Sequence, residues 1–132
     1  MEDCLFCNII AANKQLLYLD SHTAVLLDIF PVSENHLLII PIEHSPKLHN
    51  LSEKSLQNIL ITIKNVANKL GIKEYNVLQN NGNMQTVDHV HFHLIPFNSE
   101  NDCLKIDWKS KKLSEDEISK KIEKIKLMLN KI

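Results

Sequence analysis

The 132-residue chain is predicted to fold as an α+β protein, with a mainly antiparallel sheet of about five strands, a central helix and a C-terminal helix. Three observations predict this. Short apolar and β-branched runs come in blocks joined by short turns, not as repeated βαβ units. One long segment, 52–70, carries apolar residues at spacings of three and four. And residues 89–96 place a histidine at every second position between apolar neighbours: His89, His91 and His93 around Val90, Phe92 and Leu94.

The elements follow in order. Residues 5–12 make a short helix, and Leu16–Asp20 and Thr23–Phe30 read as strands. His36–Pro41 gives a third strand, its run Leu37-Leu38-Ile39-Ile40 implying burial on both faces; Pro31 and Pro41 punctuate the ends. In 52–70 the apolar positions are Leu56, Ile59, Leu60, Ile63, Val66, Ala67 and Leu70, with Ser52 suited to the N-cap and Gly71 to the stop. Tyr75–Gln79 is the next strand, followed by the turn formers Asn80-Asn81-Gly82-Asn83 and then the histidine strand. Last, Ser114-Glu115-Asp116-Glu117 fits a capping box ahead of a helix over about 114–131. Ile118, Ile122, Ile125, Leu129 and Ile132 form its stripe, free to pack on the domain or on a partner. No linker, repeat or low-complexity tract divides the chain, so residues 1–132 read as a single domain.

Composition narrows the function classes. The formal charge is −1 and all 15 basic residues are lysine, so no bulk field draws in nucleic acid or an anionic membrane. A phosphate ligand has no arginine fork to meet it, only imidazoles, amides, hydroxyls and backbone N–H groups. No apolar run approaches the ~20 residues of a membrane span, and Met1-Glu2-Asp3-Cys4 does not resemble a signal peptide, so a cytoplasmic location is expected. Cys4-Leu5-Phe6-Cys7 reads as a metal site or redox pair before a structural disulfide. Cys103 is isolated.

On a strand, residues i, i+2 and i+4 share one face, so the three imidazoles project together while Val90, Phe92 and Leu94 bury the other side. Histidine titrates near neutral pH and serves as base, acid or nucleophile. A half-exposed strand that merely uses histidine on its wet side is the plainer alternative. A metallohydrolase with all three as ligands is disfavoured, because on a straight strand they span ~13 Å, too far to converge on one ion.

The pattern His-φ-His-φ-His-φ-φ, with φ apolar, resembles the histidine triad family of nucleotide-binding hydrolases and transferases, especially its small bacterial-type branch. Further landmarks carry the likeness from Cys4 to about Trp108: the CxxC, Leu27-Asp28-Ile29-Phe30-Pro31, His36 to Pro41 with His44 three residues on, Asn80-Asn81-Gly82, and Gln85-Thr86-Val87. The resemblance implies His91 as the nucleophile, forming a transient nucleotidyl-histidine, with His93 contacting phosphate oxygens or assisting proton transfer. It implies Asp28 on the ribose hydroxyls, Ile29 near the base, and Asn80, Gln85 and Thr86 on ribose and phosphate. It implies Cys4, Cys7, His44 and His89 as ligands of one structural zinc. His22, His36 and His49 are not expected to be ligands; His36 is assigned a hydrogen-bonding role. The expected ligand is a purine nucleotide (AMP, GMP or a conjugate), the expected assembly a homodimer, and the expected reaction cleavage of a purine nucleoside phosphoramidate or related adenylyl conjugate. Dinucleoside polyphosphate hydrolysis at the same site, or zinc-stabilised binding with little turnover, are the alternatives. Two departures stand out: Met84 replaces a glycine common in relatives, within a shortened loop, and Asp88 precedes the triad where relatives are often apolar.

Overall fold

The computed structural model describes residues 3–130. The order is α1 (Leu5–Ala12), β1 (Leu16–Leu19), β2 (Thr23–Leu27), β3 (Leu37–Pro41), a 3-10 turn Leu48–Asn50, α2 (Glu53–Lys69), β4 (Tyr75–Gln79), β5 (Phe92–Pro96) and α3 (Glu115–Leu129). The five strands form one antiparallel sheet in the order β1-β2-β3-β5-β4. The predicted class is the observed one.

Both sheet faces are covered, and alternation along the strands assigns residues to each. Leu37 and Ile39 of β3 join Val25, Phe92 and Leu94 beneath Ile59 and Ile63 of α2. Leu38 and Ile40 point the other way, to Leu26, Cys4 and Phe6 of the N-terminal segment. That two-sided burial is why β3 reads as an unbroken apolar run.

The caps act as the sequence suggests. Ser52 accepts from the Ser55 N–H at 3.2 Å, and Gly71, at φ +67°, supplies the left-handed turn that ends α2. Ser114 and Glu117 close the capping box of α3. Cys4 itself caps α1, its Sγ accepting from the Cys7 N–H at 3.4 Å. Lys131 and Ile132, the end of the expected last helix, lie outside the described residues.

β1 ends and β3 begins one residue inside the expected bounds, and two other strand boundaries differ by three residues. β2 stops at Leu27 because Asp28 turns the chain, its Oδ1 accepting from the Phe30 N–H at 2.8 Å. The histidine strand begins only at Phe92, paired with Ile39; His89, Val90 and His91 form an unpaired lead-in. The Pro41 carbonyl instead accepts from His89 Nε2 at 2.8 Å, and the Val90 N–H bonds the Ser45 carbonyl. The facing still holds: Val90, Phe92 and Leu94 sit in the α2-side core.

Candidate active site

On the α1 side of the sheet lies a cavity of about 930 Å³, walled by Leu5, Phe6 and Ile9 of α1, by Leu16 and Leu26, and by Ile29 and Phe30 beyond β2. Gln15, Asp28, His36, Asn80, Thr86, His91 and His93 bring its polar groups. A largely apolar chamber with a few convergent polar side chains has the form of a small-molecule site. No lysine lines it.

Hydrogen bonds fix which nitrogen of each histidine carries a proton. His91 is buried, and its Nδ1 lies 2.7 Å from the His89 carbonyl, which can only accept; Nδ1 is therefore protonated and Nε2 keeps its lone pair. Phe6 packs edge-on to the ring at 5.0 Å between centroids. A second chain starts at the Val32 N–H, which donates to His36 Nδ1 at 3.0 Å. His36 then carries its proton on Nε2 and donates to His93 Nδ1 at 2.9 Å. His93 is left with its proton on Nε2, as a donor. The His91 and His93 rings, 5.1 Å apart between centroids, thus offer a lone pair on one and an N–H on the other.

Asp28 Oδ2 sits 3.4 Å from His36 Nε2 and 3.9 Å from His93 Nδ1. It does not make imidazolium ions of them. Burial pulls His93 down to about 4, helped by the neighbouring His91 and His36, against the opposing pull of Asp28. Burial likewise lowers His36 despite Asp28. Both rings are neutral at neutral pH, so neither contact to Asp28 is a full ion pair; the His36 Nε2–H points mainly to His93, and the unprotonated His93 Nδ1 makes no hydrogen bond to the carboxylate at 3.9 Å.

Next to this chamber, Cys4 Sγ, Cys7 Sγ, His44 Nδ1 and His89 Nδ1 converge, all within 4.8 Å of one another. His89 Nδ1 is 3.3 Å from Cys4 Sγ, 3.5 Å from Cys7 Sγ and 3.1 Å from His44 Nδ1, and Cys7 Sγ is 3.4 Å from His44 Nδ1. Because His89 Nε2 donates to Pro41, Nδ1 is the nitrogen free to ligate, and the four donors could hold a metal ion. The three triad imidazoles do not converge: His89 belongs to this cluster and His91 and His93 to the cavity, so no single ion is held by all three.

The HIT domain family matches residues 11–100. The chain belongs to the HIT domain family. An adenosine 5'-monophosphoramidase of Schizosaccharomyces pombe is 44% identical over 120 residues, covering 87% of this chain and 90% of that protein. Another of that description, from Candida albicans, is 40% identical over 141 residues, covering 98% and 93%. A crystal structure of a histidine triad nucleotide-binding protein from Candida albicans superposes with a TM-score of 0.89 at 40% identity, covering 98% of this chain and 99% of that one.

In this HIT domain the structure gathers Asp28, Ile29, Asn80, Thr86, His91 and His93 on the cavity wall. Gln85 is placed differently. Its Oε1 accepts from Lys47 Nζ at 3.0 Å and the Gly82 N–H at 2.8 Å, and its Nε2 donates to the Pro46 carbonyl at 2.7 Å. It fastens the 80–88 loop and is not among the cavity-lining residues. Asp88 gains an account too, lying 3.4 Å from the same Lys47 ammonium. Met84 lines the cavity with φ +63°, a left-handed conformation that glycine adopts freely and methionine does not, so the backbone there is held at some strain. Sequence reasoning missed Lys47 and the α1 wall of Leu5, Phe6 and Ile9. The wall had a signal: apolar residues at i, i+1 and i+4 of the helix that carries the CxxC.

Proposed function

We propose that this HIT domain is a nucleotide hydrolase that cleaves the P–N bond of purine nucleoside phosphoramidates, or the matching bond of related adenylyl conjugates, and releases a nucleoside monophosphate. The observation that carries the reading is the pairing of opposite tautomers: a lone pair on His91 Nε2 beside an N–H on His93 Nε2. His91 Nε2 attacks the α-phosphorus and forms a P–N bond to the imidazole; the bond to the leaving nitrogen breaks, and that amine departs with a proton from solvent. The His93 Nε2–H and the Thr86 hydroxyl donate to the phosphate oxygens while negative charge builds. Water then attacks phosphorus and gives up a proton to solvent, the P–N bond to His91 breaks, and the lone pair returns to Nε2. Asp28 keeps acceptor capacity for a ribose cis-diol beyond its bond to Phe30, Asn80 adds an amide, and Ile29 joins the apolar wall that receives the base. For Gln85 we infer support of the phosphate-side loop.

The chamber supports a phosphoramidate over a dinucleoside polyphosphate, since no lysine lines it and the chain has no arginine to neutralise further phosphates. The close relatives described as adenosine 5'-monophosphoramidases point the same way.

The Cys4, Cys7, His44 and His89 cluster fits one structural Zn²⁺ per chain. Tetrahedral zinc with about 2.3 Å to sulfur and about 2.0–2.1 Å to nitrogen has S···N edges of about 3.5 Å and N···N edges of about 3.3 Å. The observed separations of 3.3–3.5 Å and 3.1 Å match that set. Four protein donors leave no open position, so the metal would brace α1 against the triad lead-in and take no part in bond cleavage. We further infer a homodimer built on the free edge of β4, with exposed Tyr75 and Val77, and on the outer face of α2, with exposed Leu60 and Ile61. Among the described residues no helix is long and apolar enough to cross a membrane, and three free cysteines suit a reducing, cytoplasmic setting.

The test is turnover of adenosine 5'-phosphoramidate, followed by AMP release, for the natural chain and His91→Ala. Loss of turnover with AMP binding retained supports the assignment; substantial residual turnover in the variant overturns it.

A further inference from the structure

Residues 45–48 run from His44 to the 3-10 turn and form a short strap bonded to the 80–90 segment at each step. The Ser45 carbonyl accepts from the Val90 N–H at 2.8 Å, and the Pro46 carbonyl accepts from Gln85 Nε2 at 2.7 Å. Lys47 Nζ donates to Gln85 Oε1 at 3.0 Å, and the Leu48 N–H donates to Asn81 Oδ1 at 2.8 Å. The residues held in this way have something in common. Val90 is next to His91, Gln85 is next to Thr86, and Asn81 is next to Asn80; His91, Thr86 and Asn80 all line the cavity. The strap therefore grips the chain beside the nucleophile, beside the hydroxyl and beside the amide, while standing outside the cavity itself. Its own shape is fixed by the buried Ser45, whose Oγ donates to the Lys47 carbonyl at 3.2 Å.

Ser45, Pro46 and Leu48 use backbone atoms, which most residue types would supply. Among the described residues of the strap, Lys47 alone bonds the loop through its side chain. Its stem passes Gly82, where a β-carbon would stand 3.9 Å from Lys47 Cε. Its ammonium then meets the same Gln85 oxygen that accepts from the Gly82 N–H at 2.8 Å. A bond from an ionised donor is of the stronger kind. We propose that Lys47 is a positioning residue for phosphoryl transfer: through Gln85 it holds Thr86 where the hydroxyl meets the phosphate oxygens as charge builds on them. The proposal rests on the phosphoramidate-cleaving reading above and adds to it the group that sets the loop. Asp88 is not the link, although it lies 3.4 Å from the ammonium: its side chain is 80% exposed, and water screens such a pair. Rate falls steeply when a group facing the reacting atoms is misplaced. Lys47 thus acts on kcat without meeting the substrate.

The experiment compares the natural chain with Lys47→Met, which keeps the stem and removes the ammonium, and with Lys47→Arg, which restores a charged donor. With adenosine 5'-phosphoramidate, Lys47→Met should lower kcat about tenfold or more and change KM by about threefold or less. Lys47→Arg should recover most of that loss. A rise in KM with kcat kept, or a kcat no better in Lys47→Arg than in Lys47→Met, overturns the proposal. In a Thr86→Val background, Lys47→Met should cost about twofold or less, because the hydroxyl it positions is gone. A second full loss there places the action of Lys47 elsewhere and overturns the assignment. Asp88→Asn should keep kcat within about twofold, and a loss equal to that of Lys47→Met moves the link to the ion pair and overturns it too. Amide hydrogen exchange supplies a measure that needs no turnover. Exchange over residues 82–86 should quicken in Lys47→Met while β3 and α2 keep their protection; no change in the loop, or an equal change everywhere, overturns the proposal. Absence of turnover in the natural chain removes the hydrolase reading and this role with it. Turnover in the natural chain that Lys47→Met leaves unimpaired removes this role alone.

Discussion

Acidification should weaken the fold in a way that traces to His93. Its imidazole is 17% exposed and is held down to about 4, against an ordinary value of 6.5, by burial above all. The unfolded chain therefore takes up a proton at His93 below pH 6.5 that the folded chain refuses. The contribution is complete above pH 6.5, falls as pH drops from 6.5 toward 4, and falls no further below that. One proton bound by the unfolded chain alone costs the fold about 1.4 kcal/mol for every pH unit. The loss is thus about 1 kcal/mol at pH 5.5 and about 2–3 kcal/mol at pH 4.5. Burial lowers His36 too, so the intact cluster loses more than this. The assay is urea denaturation at pH 7.0, 5.5 and 4.5 for the natural chain and His93→Gln, scored as the difference between their pH dependences, which cancels titrations the two share. A difference that stays flat from pH 7.0 to 4.5 would falsify the assignment of a neutral, buried relay.

Four further outcomes are expected. Cys4→Ser with Cys7→Ser should abolish bound zinc by elemental analysis and lower the melting temperature, because metal binding is coupled to folding of the N-terminal segment; unchanged metal content removes the cluster from consideration. Asp28→Asn should raise KM more than it lowers kcat, since a carboxylate that accepts two ribose hydroxyls becomes an amide with one acceptor oxygen; a pure kcat effect contradicts ribose binding. Phe6→Ala should destabilise by about 3–5 kcal/mol in urea melts and weaken nucleotide binding, because Phe6 is 5% exposed and packs on His91; a cost under about 1 kcal/mol would show that α1 is not part of the core. Gln85→Ala should remove the bonds that tie the 80–88 loop to Pro46 and Lys47 and the bond to the Gly82 N–H within it, and so increase proteolytic nicking there; equal nicking rates contradict the loop-fastening role.

The parts of the fold legible in the sequence are those that local periodicity encodes. The α2 stripe, the β4 run and the two-faced β3 follow from side-chain spacing alone, because spacing dictates which face is buried. The end of β2 is not legible: Ile29 and Phe30 continue the apolar run, and only the Asp28 side chain, capturing the Phe30 N–H, turns it aside. The alternation in 89–96 yields the right faces but not the strand's start, which depends on distant pairing that ends at Ile39 of β3 and Gln79 of β4. The site divides the same way. The triad, the CxxC and Asp28 are short motifs, open to a reader of the chain. The tautomers are not, since they rest on where the His89 and Pro41 carbonyls and the Val32 N–H come to lie. Nor is the hold of Lys47 on Gln85, which joins positions 38 apart.

The two cavity histidines differ in how heredity can reach them. The proton position on His91 is set by a peptide carbonyl, an atom that every residue type at position 89 supplies. Side-chain variation at position 89 can therefore break up the Cys4, Cys7, His44 and His89 cluster while leaving the oxygen that orients His91. His93 owes its orientation to the imidazole of His36, and one nucleotide change at that codon dissolves it. Along a lineage of such chains, drift at position 36 should erode catalysis sooner than drift at 89. Divergent descendants that keep a nucleotide-shaped chamber but have stopped turning over are to be sought first among those that have lost His36.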